Sequence, residues 1–371
     1  MAAYRTDPRI EVATTLPGSY YADAAAWLAA KERVFARTWQ WLGDLRDVRD
    51  ARSLSPRTLL APLLDEPLIL TRDGAGTLRC MSNVCTHRGN ILVREACNAD
   101  TIRCGYHSRR FDLAGRMTFM PDFELARNFP TSADDLRHVP FRTWAGHGFA
   151  SVDPIAPLED FIGDVARSTA SMRVDAFDAA PSRSRDYFIA AHWALYVENY
   201  LEGFHIPFVH RELGEAIDPG SYDTTLFRYA VLQTAHARKG EAAFDGSRRD
   251  AQGRPVAAYY WWIFPNLMLN FYPWGLSINH VVPEAIDRTR VLFRSYVGDA
   301  SMLDVGAGAG LDRVEAEDEA IVEAVQRGVR SRYYGAGRYS PTRERGVHHF
   351  HRLLTHFAGD DGLRGPPDVI A

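Results

Sequence analysis

The chain has no apolar run near the roughly 20 residues that a membrane-spanning helix needs. Its N-terminal stretch, MAAYRTDPRIEVATTLPGSYY, lacks the apolar core of a signal peptide. Charge of one sign is also missing. A formal net charge of -4 over 371 residues, with a pI near 6.4, gives no electrostatic footprint for nucleic acid or an anionic membrane surface. No G-x-G-x-x-G follows a strand and opens a helix, so the chain carries no dinucleotide site of its own. The string GAGAG at 306–310 has no strand before it and reads as a loop. Cysteine is scarce: Cys80, Cys85, Cys97 and Cys104 fall within 25 residues. A secreted disulfide scaffold would spread more of them along the chain, whereas this clustering in a cytoplasmic protein points to metal.

What is present is an ordinary globular composition, 46% hydrophobic and 24% charged, long enough for two domains with sizeable cores. Residues 25–38 read as an amphipathic helix. From about 40 to 155 short strand-like runs separated by Gly and Asp turns (58–61, 67–71, 78–84, 101–104, 148–152) predict a small antiparallel β domain. A linker at 156–165 runs into a further helix. Runs at 187–191, 224–237, 257–264, 267–272, 276–282 and 288–297 predict one larger antiparallel sheet flanked by helices at 193–204 and 311–331. The fold class is therefore α+β. The expected division is an N-terminal helical segment over 1–39 packing on the second domain, a β domain over 40–155 and a larger domain over 156–371.

Two loops carry the first constellation. Cys85-Thr-His87 is followed, after 16 residues, by Cys104-Gly-Tyr-His107. Two Cys and two His can bind zinc, but zinc pairs usually come as C-x₂₋₄-C with H-x₃₋₅-H. Here each loop mixes one of each type. That suits a [2Fe–2S] cluster with two thiolates on one iron and two imidazoles on the other, each loop giving one ligand to each iron. Gly89 and Gly105 beside the ligands allow tight turns.

These residues resemble the Rieske family, whose motif is C-x-H-x₁₅₋₁₇-C-x₂-H. Respiratory members carry an extra cysteine in each loop, where this chain has Asn90 and Tyr106, so the resemblance is to the oxygenase and ferredoxin branch. Cys80 then reads as a buried thiol and Cys97 as a loop residue. One departure stands out: relatives often have Trp two residues after the second His, and this chain has Arg109.

The run Glu198-Asn199-Tyr-Leu-Glu202-Gly-Phe-His205-Ile-Pro207-Phe-Val-His210 holds the second constellation. Two neutral imidazoles and a carboxylate on one face of Fe(II) leave positions open for oxygen and substrate. On an unbroken helix the two histidines would point about 140° apart, so the helix must end or kink at Pro207. A third ligand is sought in the acid-rich helix after Gly310. On a wheel of about 100° per residue, Leu311, Val314, Ile321, Val322, Val325 and Val329 fall within roughly 60° of Asp318. That sets Asp318 in an apolar stripe, where a lone carboxylate is costly unless paired or metal-bound. Glu315 is borderline and is the alternative acid; Glu317, Glu319 and Glu323 fall to the side or outward.

The pattern E-N-x-x-[DE]-x-x-H-x₄-H resembles that of the Rieske non-haem iron oxygenase α subunits, and nearly the whole chain looks like them. The resemblance implies His205, His210 and Asp318 as ligands of a mononuclear iron, with Asn199 and Glu202 in the catalytic site. By the same resemblance Glu202 links His205 of its own chain to His107 of a neighbour, which implies a homotrimer. Most ring-hydroxylating relatives have Asp there; Glu looks more like the branch that oxidises carnitine and similar quaternary amines. The implied activity is O₂-dependent hydroxylation or oxidative demethylation of a small molecule. Its electrons would come from NAD(P)H through a separate reductase, directly or by way of a ferredoxin. Ring dioxygenation of an arene is an alternative, as are a Rieske electron carrier without catalysis and a zinc hydrolase on the same triad. Aromatics over 259–264 and 271–274 could line a pocket as a cation–π cage or simply fill the core. His348, His349 and His351 have no acid partner in sequence and read as structural or pocket-edge residues.

Overall fold

A computed structural model of the chain describes residues 4–218, 220, 222–245, 252–359 and 367–369. The chain divides into two compact units, Ala36–Pro154, and Met1–Phe35 together with Ile155–Ala371. The N-terminal segment thus belongs with the C-terminal two hundred residues.

The smaller unit contains β1 (Gln40–Asp44), β2 (Ser53–Leu59), β3 (Glu66–Arg72), β4 (Leu78–Ser82), β5 (Cys97–Asn98), β6 (Ile102–Arg103), β7 (Arg110–Phe111), β8 (Met117–Phe119), β9 (Phe141–Trp144) and β10 (His147–Ala150). They form three antiparallel sheets, ordered β1-β10-β9, β4-β3-β2-β5 and β6-β7-β8. In β3 consecutive side chains point to opposite faces. Leu68 and Leu70 enter one apolar cluster with Leu42, Leu59 and Cys80, while Ile69 enters another with Leu54, Met81 and Phe111. A strand buried on both faces explains its unbroken apolar run. Cys80 is a buried thiol; Cys97 lies not in a loop but in the short exposed β5.

The larger unit holds α1 (Ala24–Arg33), α2 (Leu158–Ser168), β11 (Asp178–Ala179), β12 (Arg185–Ile189), α3 (Trp193–Tyr200), α4 (Ile206–Val209), α5 (Arg211–Ala216), β13 (Asp223–Leu226), β14 (Ala230–His236), β15 (Val256–Ile263), β16 (Leu267–Tyr272), β17 (Gly275–Ala285), β18 (Arg288–Val297), α6 (Leu311–Val329) and α7 (Arg345–Ala358). Among the described residues one antiparallel sheet runs β11-β18-β17-β16-β15-β14-β13, with β12 also on β18. The single strand expected over 224–237 is a hairpin instead, closed where Phe227 N–H donates to Ala230 O. GAGAG is a tight turn leading into α6. Gly310 has φ +62, and a side chain on Gly308 would collide with the Trp274 indole.

Helix α6 runs beside the 190–199 segment through side-chain bonds. Glu323 and Gln326 accept from the Ala190 and His192 N–H groups at 2.8 and 2.7 Å. Glu315 takes the Tyr196 hydroxyl, and Asp318 takes the Asn199 amide. The buried face of α6 is therefore partly polar, carrying Glu315, Val322, Gln326 and Val329. This corrects the apolar stripe centred on Asp318: Ile321 and Val325 are 39% and 42% exposed, and Glu315 is fully inside. Hydrogen-bonding partners across α3 override the hydrophobic pattern.

Candidate metal centres

In the smaller unit the two Cys/His loops share one backbone design. Cys85 N–H donates to Asn90 O at 2.8 Å and Gly89 N–H to Cys85 O at 2.9 Å; Cys104 N–H donates to Arg109 O at 2.8 Å and Ser108 N–H to Cys104 O at 3.1 Å. The left-handed residue is the fourth after each cysteine, Gly89 at φ +70 and Ser108 at φ +60. Ser108, not Gly105, is the counterpart of Gly89. The loops bring Cys85 and Cys104 together in the core, with the His87 and His107 rings 4.8 Å apart. Burial pushes the Cys85 thiol up. Cys104 is buried too, but N–H groups of Tyr106 and His107 outweigh that and bring its thiol below the ordinary value.

Nδ1 of His87 and of His107 are both buried without a hydrogen-bond partner. Orphaned ring nitrogens beside two thiols are what a cluster with mixed ligation requires, so these residues fit the group. Arg109 is buried at 2% exposure between Phe123 and Phe129. Its guanidinium donates to Thr86 Oγ1 at 2.6 Å and to Asp134 at 3.3 Å. It therefore ties the second loop to the residue between Cys85 and His87.

In the larger unit α3 ends at Tyr200, earlier than the helix expected over 193–204. Pro207 does not break that helix; it sits in the first turn of the short α4, where a missing N–H costs nothing. His205 caps the start of α4 and His210 its end, so one helical turn separates the rings. Their Nε2 atoms face each other at 3.2 Å. Asp318 Oδ1 stands 3.0 Å from His210 Nε2 and 3.5 Å from His205 Nε2. One donor atom from each of the three lies within 4.8 Å of the others, a set able to hold a metal ion.

The outer nitrogens are held by acids. Glu202 Oε1 lies 2.7 Å from His205 Nδ1, and Glu317 Oε2 lies 2.7 Å from His210 Nδ1. Each acid holds a proton on Nδ1 and leaves the Nε2 lone pair facing inward. Burial alone would lower the His210 imidazole, but Asp318 and Glu317 outweigh it and raise it. Asn199 Nδ2 donates to Asp318 Oδ1 at 2.6 Å. The partner role of Glu317 was not legible in the wheel, which turned it aside; its link to His210 depends on where α5 begins. The donor set, two imidazole nitrogens and a carboxylate oxygen, suits ferrous iron.

The set opens onto a cavity of about 100 Å³. Of the aromatics at 259–264 and 271–274, only Tyr260 and Tyr272 line it; the rest pack away from it, with Trp261, Trp262, Phe264, Phe271 and Trp274 fully buried. Tyr196 and Tyr200 of α3, Tyr222 and Phe293 complete the aromatic wall. The three C-terminal histidines stay outside it: the His348 and His349 Nε2 atoms meet the carbonyls of Asp7 and Phe227 at 2.8 Å, and His351 Nδ1 lies 2.6 Å from the Tyr339 hydroxyl.

Residues 172–358 match the family described as ring hydroxylating alpha subunit (catalytic domain), and residues 38–130 match the Rieske [2Fe–2S] domain. The chain is 29% identical to choline monooxygenase, chloroplastic, of Arabidopsis thaliana, over 94% of this chain and 85% of that protein. It is 28% identical to the carnitine monooxygenase oxygenase subunit of Escherichia coli (strain K12), over 92% and 93%. The fold is similar to that of the quaternary ammonium Rieske monooxygenase CntA, with TM-score 0.78, 22% identity and coverage of 96% and 100%. It is also similar to naphthalene 1,2-dioxygenase, with TM-score 0.73, 18% identity and 96% of each chain covered. No helix among the described residues is long and apolar enough to cross a membrane. With a Rieske cluster in one unit and a mononuclear iron in the other, the chain belongs to the ring-hydroxylating α-subunit family and is a Rieske non-haem iron oxygenase.

Proposed function

We propose that the protein oxidises a small cationic amine with O₂, by hydroxylation or oxidative demethylation. Electrons would come from NAD(P)H through a separate reductase, directly or by way of a ferredoxin, in the cytoplasm. The observation that carries this reading is the tyrosine-lined cavity opening onto His205, His210 and Asp318. The likeness to choline and carnitine monooxygenases supports it.

In this reading the Sγ atoms of Cys85 and Cys104 and the Nδ1 atoms of His87 and His107 hold the cluster. The Nε2 atoms of His205 and His210 and the carboxylate of Asp318 hold the iron. When bound, the cluster supplies single electrons and the iron supplies oxygen activation. The rest is work for the chain. Asn199 steadies Asp318 by donating to Oδ1, and Glu202 and Glu317 fix ring tautomer and orientation. Glu202 Oε2 accepts the N–H groups of Phe204 and His205, which locks the carboxylate. Oε1 carries one bond, to His205, and has a lone pair left. In a closed homotrimer that lone pair would accept from His107 of the neighbouring subunit and join the two centres.

The test is oxygen uptake with a surrogate reductase across a panel of cationic amines and arenes. Amine-dependent uptake with an oxidised or demethylated product is expected; uptake with arenes alone would overturn the reading.

A further inference from the structure

Three carboxylates line the cavity, Glu202, Asp318 and Glu315, and among the described residues no lysine or arginine does. Glu202 and Asp318 are committed to the histidine pair. Glu315 is not. It lies one helical turn before Asp318 on α6 and is 3% exposed. Tyr196 donates to its Oε2 at 2.7 Å, while Oε1 is buried without a partner. Burial pushes the carboxyl above the ordinary carboxylate range.

A buried carboxyl with one unsatisfied oxygen is unfavourable unless something arriving in the cavity offsets it. An anion would find no positive side chain in this wall. A cation would find a wall lined by five tyrosines, Tyr196, Tyr200, Tyr222, Tyr260 and Tyr272, and a carboxyl oxygen with no other partner.

Resting on the amine-oxidising reading above, we propose that Glu315 is a specificity-determining residue. Its unpartnered carboxyl oxygen is the counter-charge for the positive nitrogen of an amine that brings no anionic group into the cavity. Shape alone cannot achieve this selection. A tert-butyl group fills nearly the space of a trimethylammonium group and makes the same dispersion contacts, but gains nothing from Glu315.

The experiment is calorimetric binding of choline and of its neutral carbon isostere, 3,3-dimethylbutan-1-ol, to the anaerobic holoenzyme. It uses wild type, Glu315→Gln and Glu315→Asp, with retention of the mononuclear iron and the circular dichroism spectrum as checks that the larger unit is folded. Wild type is expected to bind choline at least tenfold more tightly than the isostere. Glu315→Gln should lose most of that ratio through choline alone, with isostere affinity within about threefold of wild type. Glu315→Asp, which keeps the acid but withdraws it by a methylene, should fall between. Equal choline affinity in wild type and Glu315→Gln, or equal losses for both ligands, would overturn the role of Glu315 and leave amine oxidation standing. A wild type that binds neither ligand and consumes oxygen only with arenes would overturn the functional reading, and this inference with it.

Discussion

The Nε2 atoms of His205 and His210 face each other at 3.2 Å, while their Nδ1 atoms turn outward to Glu202 and Glu317. Two lone pairs at that separation repel unless a proton or a metal lies between them, and Asp318 Oδ1 supplies the third donor. His205→Ala, His210→Ala and Asp318→Ala should each lose one iron per chain and all turnover. The absorption and magnetic resonance signals of the cluster should stay, since its ligands lie in the other unit. Iron analysis alongside the cluster spectrum checks this. An Asp318→Ala protein that keeps its iron would remove Asp318 from the set.

Glu317 is exposed enough to pass for a surface acid, yet it holds His210 Nδ1 at 2.7 Å. Removing such a partner typically costs 10–100-fold in metal affinity or activity. Glu317→Gln should weaken iron retention within that range. Glu241→Gln, outside this contact, should not. Iron release to a chelator, followed over time, measures the difference.

Arg109, two residues after His107, joins the two cluster loops through Thr86. Arg109→Met keeps much of the volume but removes the guanidinium donor to Thr86 Oγ1 and Asp134 Oδ1. The loss is expected to be about 2 kcal/mol for a buried charged hydrogen bond. It should appear as earlier thermal bleaching of the cluster. Arg110→Ala, which gives up only a contact with the Phe119 ring, should cost less than about 1 kcal/mol. Equal bleaching temperatures for wild type and Arg109→Met would contradict this role.

Burial pushes His192 and His280 down to about 3 from the ordinary 6.5. His192 is neutral by design, its Nδ1 accepting from Ala194 N–H at the start of α3. For such a group the unfolded chain binds the extra proton below 6.5 and the folded chain does not. Stability is therefore complete above that pH and is lost as pH falls through it, by about 1.4 kcal/mol per unit and per histidine. Urea unfolding at pH 7.5 and 5.5 should show wild type losing more stability on acidification than His280→Gln, by roughly 1.4 kcal/mol. Identical losses would contradict it.

Much of this molecule was legible in its sequence because metal ligation constrains both residue type and spacing. The mixed loops at 85–87 and 104–107 and the run from Glu198 to His210 required no tertiary knowledge to be noticed. The strand at 67–71 was likewise legible as a run, whereas the burial of both its faces shows only in the fold. What escaped depended on partners distant in sequence. The wheel of α6 could not anticipate that Glu315, Glu323 and Gln326 bond across to residues 190–196, so it centred the buried face on the wrong azimuth. Pro207 alone could not say whether it ends one helix or begins another. The cavity wall draws on α3, β15, β16 and β18, and no window of sequence contains it.

In the proposed reaction the cluster feeds an iron that oxidises a cationic amine, with Glu202 as the link. The decisive experiment is a single turnover of enzyme reduced beforehand and then mixed with ¹⁸O₂ and choline. Cluster reoxidation is expected in step with one labelled oxygen atom appearing in the hydroxylated amine or in the aldehyde released by demethylation. In Glu202→Ala the cluster should still be reduced by an external donor, but its reoxidation and product formation should both slow steeply. Cluster reoxidation in Glu202→Ala at the wild-type rate would remove Glu202 as the link, and reoxidation in wild type with no oxidised amine would rule out amine oxidation.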